Sequence, residues 1–190
     1  MRPSGASCNI DTMGKNHGLT SLRGSRLVEK DNPVIVLRGK LDTLCAMILE
    51  AQLLGERAGR RDFADDLQEI LEFVRSIFAA EYSGTPVGEP PLPGPEARER
   101  CRNPQRHFGR GHLLMDRGMG ELPLRLNLLR TLTREAEIAA VTAFRDPANP
   151  RPDIIEALNG LSSIFYVLTY KYLPVDYCPG GNPGVTFTGG

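Results

Sequence analysis

The sequence predicts an all-α protein, an up-and-down bundle of four to five helices. Three observations carry that expectation: four segments repeat apolar residues at intervals of three and four, no segment alternates like a strand closed by a hairpin turn, and prolines stand where one segment gives way to the next. The length of 190 residues suits one domain, since single cores hold about 100 to 200 residues. A chain of this size buries roughly 70% of its unfolded surface and needs no disulfide or structural metal to hold a core.

The elements follow in order. Residues 1 to 20 mix Gly, Ser, Asn and Thr with single charges and lack apolar periodicity, which reads as an arm or loop. From Gly39, Leu41, Leu44, Ile48, Ala51 and Leu54 mark a first helix that weakens at Gly55 and Gly59. Phe63, Leu67, Ile70, Leu71, Val74, Ile77 and Phe78 form the stripe of a second, capped by Asp62 and ending near Tyr82. Six prolines between Pro86 and Pro104 remove donors and fix φ, so a connecting loop without a long helix is expected there. A basic stretch with His107 and His112 then leads into the Gly-rich residues 117 to 120. A third helix should begin at Glu121 to Pro123, where proline is tolerated, and run to about Arg145 with Leu128, Leu129, Leu132, Ala136, Ala139, Ala140 and Ala143 on its apolar side. The fourth begins at Pro152. There Ile154, Leu158, Leu161, Phe165, Leu168 and Tyr172 keep the spacing of a packed seam until Pro174.

Composition excludes several function classes. Lys plus Arg and Asp plus Glu both number 23, so no bulk field favours nucleic acid or an anionic membrane, and any anion site must be local. The longest uncharged apolar stretch, Ala157 to Tyr170, is 14 residues, short of the roughly 20 that cross a bilayer. The first residues lack the apolar segment of a secretory signal. The four cysteines, Cys8, Cys45, Cys101 and Cys178, form no C-x-x-C pair, which argues against a zinc knuckle and for free thiols in a reducing cytoplasm. No Glu-x-x-His pair, P-loop or dinucleotide fingerprint occurs. With three histidines and no matched carboxylate, no metal ligand is assigned.

The remaining chemistry lies in polar stripes. Asn127, Arg130, Arg134 and Glu137 share one face of the third helix; the plain alternative is a solvated side with an Arg134 to Glu137 ion pair. Asn159, Ser162, Tyr166 and Thr169 repeat the spacing on the fourth, so the stripes can face each other. Asp42, amid apolar residues of the first helix, should find an arginine if buried, with Arg130 as the candidate. The run from Gly18 through Thr20 and Gly24 to Arg26, followed by Lys30, combines small residues, hydroxyls and cations able to wrap a polyphosphate, although such termini are more often plain arms.

Taken together, these segments resemble the trimeric ATP:corrinoid adenosyltransferases, which move the adenosyl group of ATP to vitamin B12. Thr12, Gly18, Thr20, Leu22, Gly24, Arg26, Lys30, Pro33, Gly39, Asp42 and Leu44 fall on that family's T-x-x-G-D-x-G-x-T-x-L-x-x-G, R-x-x-K-x-D-P and G-x-x-D-E-L-N patterns. Residues 129–137 resemble its A-R-T-x-x-R-R-A-E helix and residues 158–165 its L-N-R-L-S-D-x-L-F helix. Residues 126–131 and 151–154, with His112 and Gly120, look closest to the ethanolamine-utilization branch. The departures are Lys15-Asn16, Thr43, Cys45, Glu135 and Ser163, and the Cys-Cys-x-x-Cys motif that some members of the branch carry is not found in this sequence.

The resemblance implies a homotrimer with ATP between subunits, the N-terminal loop of one chain closing on the bundle of the next. It divides the chain into an arm (1–11), a bundle with its ATP loop (12–173) and a Gly/Pro-rich flexible tail (174–190). Arg134, Lys30, Asp42 and Arg130 would be catalytic; Thr12, Asn16, Gly18, Thr20, Gly24, Arg26, Glu137 and Asn159 would hold ATP, with Mg²⁺ as companion. Leu114, Phe165 and Tyr166 would meet the cobalamin. The implied partners are a corrinoid reductase and an adenosylcobalamin-dependent enzyme, in the cytoplasm or inside a bacterial microcompartment. A non-catalytic nucleotide or corrinoid carrier is the alternative, and a purely structural scaffold stands third.

Overall fold

The structure, a computed structural model, describes residues 18–24, 26–91 and 94–178. The first element is a hairpin, β1 (Leu19–Arg23) antiparallel to β2 (Arg26–Glu29). Four long helices follow the predicted segments: α1 (Pro33–Arg57), α2 (Arg61–Ser83), α5 (Glu121–Ala143) and α6 (Pro152–Lys171). Between α2 and α5 lie α3 (Gly94–Arg102) and α4 (Pro104–Phe108).

Local chemistry sets the helix ends. Asn32 accepts the Val34 N–H ahead of Pro33, so α1 starts six residues before the first periodic glycine. Gly84, at φ 77°, closes α2 in the left-handed conformation that favours glycine.

The long helices pack with every neighbour antiparallel. Gln52 meets Gln68 (2.9 Å) between α1 and α2, while Lys40–Glu135 (2.6 Å) and Glu50–Arg125 (3.2 Å) join α1 to α5. Lys171–Asp66 (2.7 Å) and Arg151 Nη1 to the Ala80 carbonyl (3.0 Å) link the two ends of α6 to α2, and α5 closes the ring against α6. The predicted seam is the core: Leu158, Leu161, Phe165, Leu168 and Tyr172 are buried with Leu41, Leu44, Ile48, Phe63, Leu67, Leu129 and Ala136. Each Leu, Ile or Phe among them contributes about 1.5–3 kcal/mol by leaving water.

Three expectations need correction. The N-terminal run forms a hairpin, hidden because most of its residues are polar and its register pairs Thr20 with Val28 and Ser21 with Leu27, without a continuous apolar face. The proline-rich connection contains α3 and α4, since Pro95 and Pro104 fall in first turns, where the missing N–H costs nothing. This crossover returns along α6, with Ala97 buried, Arg98 donating to the Glu156 carbonyl (2.9 Å) and the Cys101 thiol donating to the Ser163 carbonyl (3.3 Å). Of the segment expected to be flexible from residue 174, the described part docks: Tyr177 is buried, its hydroxyl donates to Asp116 (2.6 Å) and its carbonyl accepts from Arg110 (2.6 Å). Among the described residues no helix is long and apolar enough to cross a membrane.

Candidate functional site

The two polar stripes meet where α5 and α6 run side by side. Asn127, Arg130 and Arg134 from α5, with Ser162, Ser163 and Tyr166 from α6, line a polar cavity of about 380 Å³ that Cys101, His112, Leu113 and Met115 complete. The geometry follows from helical periodicity, because residues three and four apart share a face and the neighbouring residues Leu129, Ala136, Leu158 and Leu161 are drawn into the core.

The cavity is cationic. No carboxylate lines it, and among the described residues neither Arg130 nor Arg134 pairs with one. Arg130 instead lies over the Tyr166 ring, 5.3 Å from its centroid. The alternative Arg134 to Glu137 ion pair does not form, for Glu137 accepts a hydrogen bond from Asn159 Nδ2 (2.8 Å) across the helix interface. Two guanidinium groups without counter-ions, beside the amide and hydroxyls of Asn127 and Ser162, can hold an anion by charge-assisted hydrogen bonds. Burial pushes the Cys101 thiol up, which keeps it a neutral wall residue.

Beside this cavity lies an apolar one of about 420 Å³, formed by residues 110–116 and Tyr177. His112, Leu113 and Met115 belong to both walls. Leu114 is 87% exposed at the second cavity. Tyr177 sits against Asp116, and burial first, then that hydrogen bond, pushes its phenol up to about 12.

The other predicted residues divide. Phe165 is fully buried and cannot face a substrate, because it carries the apolar seam one position from Tyr166, which does line the cavity. Asp42 is exposed and makes no pair with Arg130: with Leu41 and Leu44 turned inward, the helix carries position 42 to the outside. Gly18, Thr20, Gly24, Arg26 and Lys30 belong to the hairpin and its flanks, where Gly24 turns the chain at φ 56° and the Gly18 carbonyl accepts from Lys30 N (2.8 Å). Thr12 and Asn16 lie outside the described residues.

The hairpin is fastened on the α1/α2 side. Arg38 of α1 donates to the Leu22 carbonyl (2.7 Å) and pairs with Glu81 of α2 (2.7 Å). Its exposed cations Arg26 and Lys30 therefore do not join Arg130 and Arg134 in the α5/α6 cavity of the same chain. Sequence reasoning missed Cys101, Leu113, Met115 and Ser163 as wall residues; nothing in their spacing marks them.

A family model described as cobalamin adenosyltransferase matches residues 10–172. The corrinoid adenosyltransferase EutT of Escherichia coli (strain K12) is 32% identical over 170 residues, 85% of this chain, and its Salmonella typhimurium counterpart is 31% identical over the same share. The chain spans 61% of the length of these curated relatives. Among solved structures, a variant PduO-type ATP:corrinoid adenosyltransferase from Lactobacillus reuteri, complexed with cobalamin and ATP, superposes with a TM-score of 0.67 at 21% identity, covering 86% of this chain and 93% of that one. Another variant of that enzyme, complexed with ATP, gives 0.65 at 20% identity over 85% and 93%.

Proposed function

Because this chain belongs to the cobalamin adenosyltransferase family, we propose that it transfers the 5′-deoxyadenosyl group of ATP to a reduced corrinoid. The observation that carries the reading is the α5/α6 cavity with its two guanidinium groups free of carboxylate partners among the described residues. In the proposed reaction the electron pair of Co(I) attacks the ribose C5′, a carbon–cobalt bond forms, and the C5′–O bond breaks with its electrons leaving on triphosphate. Negative charge builds on the leaving oxygens, and fixed cations aimed there lower the barrier most. Arg134 and Arg130 supply them from the cavity wall, while the Glu137–Asn159 pair offers acceptors and a donor for the ribose or base. The cavity holds no carboxylate, so Mg²⁺ would enter on the nucleotide's phosphates and share in neutralising them.

The hairpin cations complete the reading. Within one chain Arg26 and Lys30 stand on the α1/α2 side, away from Arg130 and Arg134, so uniting four cations on one triphosphate takes a second copy. We propose that this copy belongs to the homotrimer that the family resemblance implies, with the hairpin of each chain closing the cavity of the next. The likeness to EutT points to ethanolamine utilization as the pathway, with a corrinoid reductase upstream and an adenosylcobalamin-dependent enzyme downstream.

Subunit complementation tests this arrangement. Lys30→Ala and Arg134→Ala are each expected to be inactive, whereas a reassembled mixture should regain about a quarter of the activity, since a random interface joins an intact hairpin to an intact cavity in that fraction. Active single mutants, or a mixture without recovery, would contradict it. A carrier would bind ATP or corrinoid and gain thermal stability without turning over.

A further inference from the structure

The wall shared by the two cavities is held by tyrosine hydroxyls of α6. Leu113 N donates to the Tyr166 hydroxyl (3.1 Å), and Tyr170 donates its hydroxyl proton to the Gly111 carbonyl (2.8 Å). The two hydroxyl oxygens stand 3.2 Å apart, and His112 Nδ1 is 3.3 Å from the Tyr166 oxygen. Phe108 stacks on the Tyr170 ring at 4.3 Å, and Arg130 lies over Tyr166, so both phenols are fixed in place.

Proton counting gives this network one direction. A carbonyl only accepts, so the single Tyr170 proton is committed to Gly111. Tyr166 must then be the donor to Tyr170, and with its own proton spent it can only accept from its other neighbours. Leu113 N–H is one donor. The other must be a protonated Nδ1 of His112. In a neutral imidazole that choice leaves Nε2 with the lone pair, and among the described residues Nε2 has no hydrogen-bond partner.

We propose that Tyr166 and Tyr170 are positioning residues that hold His112 in the Nδ1–H tautomer, so that its Nε2 accepts a hydrogen bond from a neutral N–H or O–H donor on the bound substrate. The assignment of that donor to a substrate rests on the adenosyl-transfer reading; the tautomer does not. Arg130 and Arg134 already serve the anionic part of a ligand on the same wall. A bare ring nitrogen is poorly suited to an anion and well suited to the neutral part, which on these substrates is either a corrinoid side-chain amide or the ribose and adenine of ATP.

Long-range ¹H–¹⁵N spectra of the histidine-labelled protein, recorded where the ring is neutral, read the tautomer without any turnover. Expected is a protonated Nδ1 and a pyridine-like Nε2 for His112, the form that free imidazole in water disfavours. In Tyr170→Phe the Tyr166 proton is released toward Nδ1, and the tautomer should flip to Nε2–H; in Tyr166→Phe the bias should vanish. An Nε2–H ring in the parent protein, or an unchanged tautomer in both variants, overturns the proposal. The acceptor role is read by equilibrium binding of ATP and of cobalamin to His112→Asn, whose amide keeps a donor toward Tyr166 and lacks the Nε2 position. One affinity should fall about two- to tenfold, the worth of one neutral hydrogen bond: the cobalamin affinity if the donor is the corrinoid amide, the ATP affinity if it is the nucleoside. Unchanged affinities for both would remove the acceptor role. A correct tautomer in a protein that binds both ligands and never forms the carbon–cobalt bond would overturn the proposed function and leave the His112 assignment standing.

Discussion

Glu81→Ala should unseat the buried ion pair that joins α1 to α2. Glu81 and Arg38 have side-chain exposures of 3% and 14%, and the ion pair between them is 2.7 Å long. The guanidinium also holds the Leu22 carbonyl through Nη1, while Nη2 is buried with no hydrogen-bond partner among the described residues. Removing the carboxylate leaves a charge with one neutral acceptor and almost no water. Losing one partner of a buried pair costs about 3–5 kcal/mol, and the surviving Leu22 bond puts this case near 3. For a chain of this size each kcal/mol lowers Tm by about 2–4 °C, so a fall of roughly 6–12 °C is expected. In urea, with a slope of about 1–3 kcal/mol per molar, the midpoint should drop by about 1–3 M. Far-UV circular dichroism reads both. Arg38→Met with Glu81→Met removes both charges and should recover most of the loss, while amide exchange in residues 19–29 should quicken because the hairpin loses its anchor. A loss for Glu81→Ala below about 1 kcal/mol, the value of an exposed pair, would refute the reasoning.

Gly55→Ala should destabilise by about 1–3 kcal/mol through overpacking, since a Cβ there would sit 2.7 Å from Phe63 Cδ1 and 3.3 Å from the Arg60 carbonyl oxygen; chemical denaturation reads it. Arg151 donates to Asp153 and holds its carboxyl below the usual carboxylate range, with the Val87 N–H assisting. A depressed folded pKa stabilises fully above the unfolded value of about 4 and is lost as pH falls through the folded value, so the stability gap between the parent and Asp153→Asn should shrink in acid melts below that point. Iodoacetamide should label exposed Cys178 before Cys101, which is half-buried with its thiol pushed up by burial; mass spectrometry should show Cys101 slowed further by ATP, because it lines the cationic cavity.

The four long helices were legible because their spacing is the cause of their burial: Leu158, Leu161, Phe165 and Leu168 recur at the helical period and all face the core. The α5/α6 cavity was legible for the same reason, as polar residues left over beside an apolar stripe must share a face. What escaped was the product of tertiary neighbours. Arg38 and Glu81 are 43 residues apart with no local pattern, and the hydroxyl chain from His112 to Gly111 depends on the crossover lying against α6. Asp42 shows the converse error, since an apolar neighbourhood in sequence does not bury a residue that the helix turns outward. Phe165 shows a related error: the resemblance set it beside Tyr166 at the cobalamin, yet a 100° rotation per residue sends one into the core and the other to the cavity.

The central claim, adenosyl transfer at the α5/α6 cavity, is tested most directly by anaerobic incubation with ATP, Mg²⁺ and chemically reduced cobalamin. The corrinoid spectrum is followed as the photolabile carbon–cobalt bond forms. The expected result is that bond in the parent protein and its loss, by about a hundredfold or more in rate for a removed charge-stabilising donor, in Arg134→Ala of unchanged helicity. Bond formation at the parent rate in Arg134→Ala, or no bond in a folded parent protein that binds both substrates, would contradict it.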